Sequence, residues 1–136
     1  MILIDTNVVS ELMKSAPEPG VEHWYLLNEE ETALPAVVLG ELSYGIARLA
    51  DGARRRGFEA QLVEWRLRYA DRTLPFGASA ALHYGPMLAA IERAGRAMSL
   101  VDAQITAIAL DQDAAVATRN VRDFEPAGVK LVNPWD

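Results

Sequence analysis

Short apolar runs alternate with amphipathic stretches along the whole chain. "ILI" (Ile2–Ile4) stops at Asp5, and "AAVAT" and "VKLVN" towards the other end are likewise apolar without alternation. Such runs read as parallel strands covered on both faces, because an uncovered face would put polar residues at every second position. "TALPAV" and "TLPF" supply two more short extended pieces. Between these runs the period changes to that of helices. Asn7–Met13 predicts a short helix that "SAPEPG" terminates with two prolines and a glycine, and Val21 to about Asn28 predicts a second. Val38, Leu42, Ile46 and Leu49 recur at helical spacing before Gly52, and Phe58, Leu62, Trp65 and Tyr69 make a further stripe. Ala81, Tyr84, Leu88 and Ile91 form the next, in which Pro86 should kink the helix or split it. Leu100–Leu110 is apolar on nearly every side, interrupted by Asp102, Gln104 and Thr106, as expected of a helix in the middle of a fold. The sum is an α/β sandwich of about five short parallel strands flanked by helices, with right-handed crossovers between them.

Composition narrows the class. A chain of 136 residues is the size of one domain, so a single domain over residues 1–136 is expected. Hydrophobic residues at 51% and charged residues at 24% match ordinary soluble proteins, and no apolar run approaches the roughly 20 residues of a spanning helix. Met1–Ile4 is too short for the apolar region of a secretory signal, and the absence of cysteine removes disulfides and thiolate metal sites together. A cytoplasmic protein without a membrane segment is the expectation. The net charge of −6 counts against a surface that attracts nucleic acid as a whole. Eleven of the thirteen cations are arginine, however, among them Arg54, Arg55 and Arg56 in a row and the pair Arg119 and Arg122. Arginine forks suit phosphate, so a local basic rim around an acidic pocket would reconcile a negative protein with a negative substrate. A solvated helix face is the plainer account of the triple arginine.

Candidate chemistry lies in the acids. In an open α/β sheet, ligands bind outside the carboxyl ends of the strands where strand order reverses. Asp5 ends the first strand, and Thr118, Asn120 and Asp123 leave the fourth together in "ATRNVRDF". If those strands are neighbours, the groups share one crevice. Glu41 flanks the stripe of the helix behind the second strand, and Asp102 sits three residues after Ser99 in the first turn of the interior helix, where amides and dipole favour an anion. Taken alone, each acid has an ordinary explanation: Asp5 as a helix cap, Asp102 as a capping-box partner, Glu41 as a solvated side chain, Asp123 as a turn residue. Gathered together they repel, by roughly 4 kcal/mol for a pair about 4 Å apart at an effective dielectric near 20, so a cluster needs a cation. Oxygen ligands select hard ions, Mg2+ or Mn2+, which polarise a phosphoryl oxygen and acidify a bound water. Asn7 and Ser10, one helical turn apart, would then support Asp5. The only histidines, His23 and His83, lack a paired ligand spacing, which disfavours zinc and a serine triad, and no glycine-rich phosphate loop follows the first strand.

"MILIDTNVVSE", "VVLGELSYGI", "SLVDAQITAIAL" and "VATRNVRDFE", in that order, resemble the PIN-domain ribonucleases of toxin–antitoxin modules, the VapC toxins, and the closing "VNPWD" is similar to their FitB-like branch. The resemblance implies a PIN-like three-layer sandwich and a Mg2+- or Mn2+-dependent endoribonuclease. It makes Asp5, Glu41 and Asp102 the metal-binding acids and Thr118 a hydrogen-bonding member of the acidic cluster. The family often has aspartate two residues after that threonine, where this chain has Asn120; Asp123 is the alternative source of the fourth charge, so Asn120 and Asp123 stay open. The resemblance also implies a homodimer or a larger toxin–antitoxin assembly, an inhibitory VapB- or FitA-like antitoxin, contact with operator DNA only through that antitoxin, and an RNA substrate. Two rivals share parts of this pattern. A phosphorylatable receiver domain has an acidic first-strand end and a fourth-strand threonine, but "TLPFGA" offers no acceptor acid and Lys130 begins the last strand. A PIN fold that only binds has Asn120 as its support.

Overall fold

The computed structural model describes residues 1–136. In chain order, strand β1 (Ile2–Ile4) leads into helix α1 (Thr6–Leu12), then α2 (Pro19–Asn28), a 3-10 turn (Glu29–Glu31), β2 (Thr32–Pro35), α3 (Ala36–Ala47) and α4 (Ala53–Arg68). The second half runs β3 (Thr73–Leu74), α5 (Ala78–Arg93), α6 (Leu100–Gln112), β4 (Ala115–Ala117), α7 (Val121–Phe124), a second 3-10 turn (Glu125–Ala127) and β5 (Leu131–Val132). The five strands form one parallel sheet in the order β3-β2-β1-β4-β5. Leu3 and Ile4 point to opposite faces and both are fully buried, so helices cover the sheet on each side and three layers result. No helix is long and apolar enough to cross a membrane.

The expected elements are present, with informative differences. Helix α2 starts two residues earlier than the apolar pattern suggests, because Pro19 occupies its first turn, where a missing N–H costs nothing. Helix α5 is unbroken through Pro86. The backbone bond that proline forfeits belongs to the carbonyl of Leu82, which is 80% exposed and can be hydrated, so the expected split does not occur. The buried face of α5 also includes Ala80, while the expected Ala81 is exposed. Helix α6 is interior as expected, with Ala103, Ile105, Ala107, Ile108 and Ala109 all buried, and it ends where Asp113 takes a left-handed conformation (φ 51°). Short polar side chains tolerate that region, and the reversal feeds the chain directly into β4.

The strand order decides where a site can form. β1 lies between β2 and β4: the chain steps outward from β1 to β2 and β3, then crosses back past β1 to β4 and β5, so strand order reverses between the carboxyl ends of β1 and β4, and the switch point falls there. A receiver domain has the order 2-1-3-4-5 instead, which removes that rival.

Candidate active site

Asp5 and Thr118 stand side by side at that switch point. The register pairs Ile4 with Ala117, and the Asp5 N–H carries the ladder one step further, donating to the Ala117 carbonyl at 3.0 Å. Asp5 does cap α1: its Oδ1 accepts from the Thr6 N–H at 2.7 Å. Its Oδ2 faces the other way and accepts from the Thr118 hydroxyl at 2.8 Å and from the Asn7 amide at 3.1 Å. Capping therefore uses only half of a carboxylate that is 5% exposed. Thr118 is fully used as well, since its oxygen also accepts from the Asn120 N–H at 3.0 Å and from the Asn7 amide at 3.3 Å. Asn7 closes the net by accepting from the Arg119 N–H at 3.2 Å. Burial raises the Asp5 carboxyl above its ordinary value; the Thr118 and Thr6 bonds oppose this, the Glu41 charge adds to it, and Asn7 opposes it again.

This network makes a mutational prediction. Thr118→Val keeps shape but removes the donor to Asp5 and leaves the Asn120 N–H without its acceptor, so denaturant unfolding should show a loss of about 1–3 kcal/mol. An unchanged denaturation midpoint would show that the hydroxyl has no structural role.

Two further acids reach the same cleft, a space of about 440 Å³ lined by Asp5, Asn7, Glu41, Asp102, Arg119 and Asn120 among others. Glu41 is half-buried on α3 and accepts from the Thr6 hydroxyl, so Thr6 links it to Asp5. Asp102 opens α6, its N–H donating to the Ser99 hydroxyl at 3.2 Å. That is half of the expected capping box, and the carboxylate also lines the cleft. Burial pushes the Asp102 carboxyl up to about 6, helped by the charges of Asp5, Asp123 and Glu41 against the pull of Ser99.

The remaining expectations divide. Asn120 lines the cleft, whereas Asp123 is exposed on α7 outside it and reaches the site through its field on Asp102. Arg119 is at the cleft and Arg122 is not among its lining. Of the triple arginine, Arg55 pairs with Glu59 at 3.0 Å and Arg56 lies 3.9 Å from Asp51, the solvated-face arrangement, while Arg54 lies over the Phe58 ring in a neighbouring groove. Ser10 lines the cleft as expected of a supporting residue. Glu11, Lys14 and Trp135 line it too, and nothing in the periodicity singled them out. Glu11 is only 7% exposed; the Lys14 ammonium at 3.0 Å and the Glu18 N–H at 3.1 Å hold its carboxyl below the ordinary value.

The donor set suits a hard cation. All three acids offer oxygen, and the burial that chiefly raises Asp102, together with the neighbouring negative charges, is a cost that a positive charge would relieve. No three of them converge on one point, but Mg2+ is held by one or two carboxylates with waters completing its shell. The residues present fit such an ion.

Fold and cleft together define an α/β protein whose carboxylates gather at the switch point of a parallel sheet. Residues 2–128 match the family described as PIN domain, and the chain belongs to that family, on the branch of the VapC and FitB toxins. The chain is 37% identical to a VapC ribonuclease of Sinorhizobium fredii, an alignment covering 100% of this chain and 99% of the relative. It is 34% identical to toxin FitB of Neisseria gonorrhoeae, covering 99% of each. Among solved structures, the complex of FitAB with a DNA fragment contains a chain that superposes with a TM-score of 0.90 at 31% identity, covering 100% of this chain and 96% of that one. The resemblance read from the four sequence motifs is thereby borne out.

Proposed function

We propose that the protein is the toxin of a toxin–antitoxin module: a single PIN domain over residues 1–136 that acts in the cytoplasm as a Mg2+- or Mn2+-dependent endoribonuclease. The observation that carries this reading is the burial of Asp5 at the switch point, with Glu41 and Asp102 lining the same cleft and no histidine among its residues. Asp5 and Asp102 would hold the cation, with Glu41 beside them; bound there, it would supply Lewis-acid polarisation of the phosphoryl oxygen and an acidified water. The chain's own side chains do the positioning. Thr118, Asn7 and the Thr6 N–H fix the Asp5 carboxylate, Thr6 fixes Glu41, Asn120 offers an amide at the lip, and Arg119 offers a fork for the phosphate. Asp123 contributes through its charge from outside the cleft.

An inhibitory VapB- or FitA-like antitoxin fits a groove that continues from the acidic cleft. Met13, Leu42, Ile46, Leu49 and Phe58 give it an apolar floor, Lys14 and Arg54 give it cations, and Thr6, Ser10, Lys14 and Glu41 are shared with the cleft. An amphipathic tail suits such a lining. The net charge of −6 supports DNA contact through the antitoxin and not through this chain, within a homodimer or larger hetero-oligomer.

A binding-only PIN fold is favoured by the amide of Asn120 in the cleft and by the absence of three convergent acids. One experiment separates the two. Purified, antitoxin-free protein is incubated with total RNA in Mg2+, in Mn2+ and in EDTA. Discrete fragments with either cation and intact RNA in EDTA are expected; folded protein that leaves RNA intact in all three, or cleaves equally in EDTA, rules out the metal-dependent reading.

A further inference from the structure

Trp135 is the only hydrophobic side chain among the residues lining the carboxylate cleft, and it lies beyond residue 128, where the family match ends. The chain holds it firmly there. After β5, the Asn133 side-chain oxygen accepts from the Trp135 N–H at 3.0 Å and the Asn133 carbonyl from the Asp136 N–H at 3.1 Å, a compact turn that fixes the backbone. The half-buried indole packs against the main core, and the Arg119 guanidinium lies over it, 5.2 Å from the ring centroid. The Arg119 backbone is itself tied to Asp5, since its main-chain N–H donates to the Asn7 side-chain oxygen and the Asn7 amide donates to Asp5. An indole beside three carboxylates gains nothing from the acids, yet an aromatic face and a guanidinium plane are what a nucleobase stacks on. Only an unpaired base presents a free face, because paired bases are covered by their neighbours in the stem.

We propose that Trp135, with Arg119 over its ring, is the base-stacking platform of this cleft, seating an unpaired RNA nucleotide with its phosphate beside Asp5 and Asp102. The proposal rests on the RNA-cleavage reading and adds to it the residue that selects a single-stranded segment and sets its position. Stacking is sequence-tolerant, so Trp135 contributes to the choice of unpaired over paired RNA and little to the choice among bases.

The test uses the full chain in an Asp5→Asn background with Mg2+, so that RNA stays intact, and reads anisotropy of a dye-labelled single-stranded RNA of mixed sequence and of the same RNA annealed to its complement. Trp135→Leu keeps apolar volume but has no π face; Trp135→Phe keeps a smaller one. Loss of single-strand affinity by about tenfold in Trp135→Leu is expected, with most of it retained in Trp135→Phe and duplex binding alike in both. In the active chain, Trp135→Leu should raise KM about tenfold with a smaller change in kcat. Equal single-strand affinity in the Leu and Phe variants, or parallel loss for single strand and duplex, overturns the platform. If the unmutated chain still cleaves RNA in those cases, the cleavage reading stands without it; if the unmutated chain neither binds nor cleaves RNA, both fall.

Discussion

Asp5→Asn is expected to lower RNA cleavage at least about a hundredfold while leaving the protein folded. A cation held in part by this carboxylate contributes several kcal/mol to transition-state charge, and each 1.36 kcal/mol or so is a factor of ten in rate. The stability side is near balance. Asparagine keeps one acceptor for Thr118 and Asn7 but turns its amide towards the Thr6 N–H, costing about 1 kcal/mol of helix capping. Against this, the variant no longer buries a charge whose desolvation raises the Asp5 pKa. Cleavage of a defined RNA measured beside a thermal melt separates the two effects. A folded variant that cleaves within about threefold of the unmutated chain would remove Asp5 from the catalytic site.

Asp102→Asn should abolish most cleavage and, in metal-free buffer at neutral pH, raise the melting temperature. The Asp102 carboxyl is pushed up to about 6 in the folded chain against an ordinary 3.8. Its folded pKa therefore exceeds the unfolded one, so native protein binds this proton more tightly. That contribution to stability is complete below pH 3.8 and is lost as pH rises through about 6. Asparagine has no proton to lose, so the gain should be full above pH 7 and vanish near pH 4. The position is partly open to water, and after allowance for screening we expect about 1 kcal/mol, or a rise in Tm of roughly 3–5 °C. Saturating Mg2+ should narrow the difference by stabilising the unmutated chain alone. A pH-independent difference, or a lower melting temperature in the variant at neutral pH, would show that the burial and like charges around Asp102 are compensated within the protein.

Asp5 and Asp102 both stand out in the chain pattern, though for different reasons. Asp5 was visible because a short apolar run stops at it, and Asp102 because it sits three residues after a capping serine. Glu41 and Thr118 could be placed on their elements, yet only strand pairing put Thr118 against Asp5 and only the Thr6 hydroxyl tied Glu41 to them. Asn120 and Asp123 are indistinguishable in a short turn; both are exposed, and the path of the chain into α7 leaves the first at the rim of the cleft and the second outside it. Pro86 and Pro19 show the limits of local rules, since the cost of a proline depends on whether the orphaned carbonyl meets water or the helix has yet begun. Trp135, Glu11 and Lys14 carried no periodic signal, because a cleft gathers residues by their place around a strand end.

What the amino-acid order determined alone is what short-range forces and composition decide: helical and extended periods, caps, breaks, the hard-oxygen character of the candidate ligands, the exclusion of thiolate ligands and the absence of a paired histidine spacing. The strand order β3-β2-β1-β4-β5, the burial of Asp5, the raised Asp102 and the Arg119–Trp135 pair belong to the tertiary structure. Desolvation and Coulomb energies depend on distances through space, and two residues far apart in the chain acquire such a distance only when the sheet closes between them.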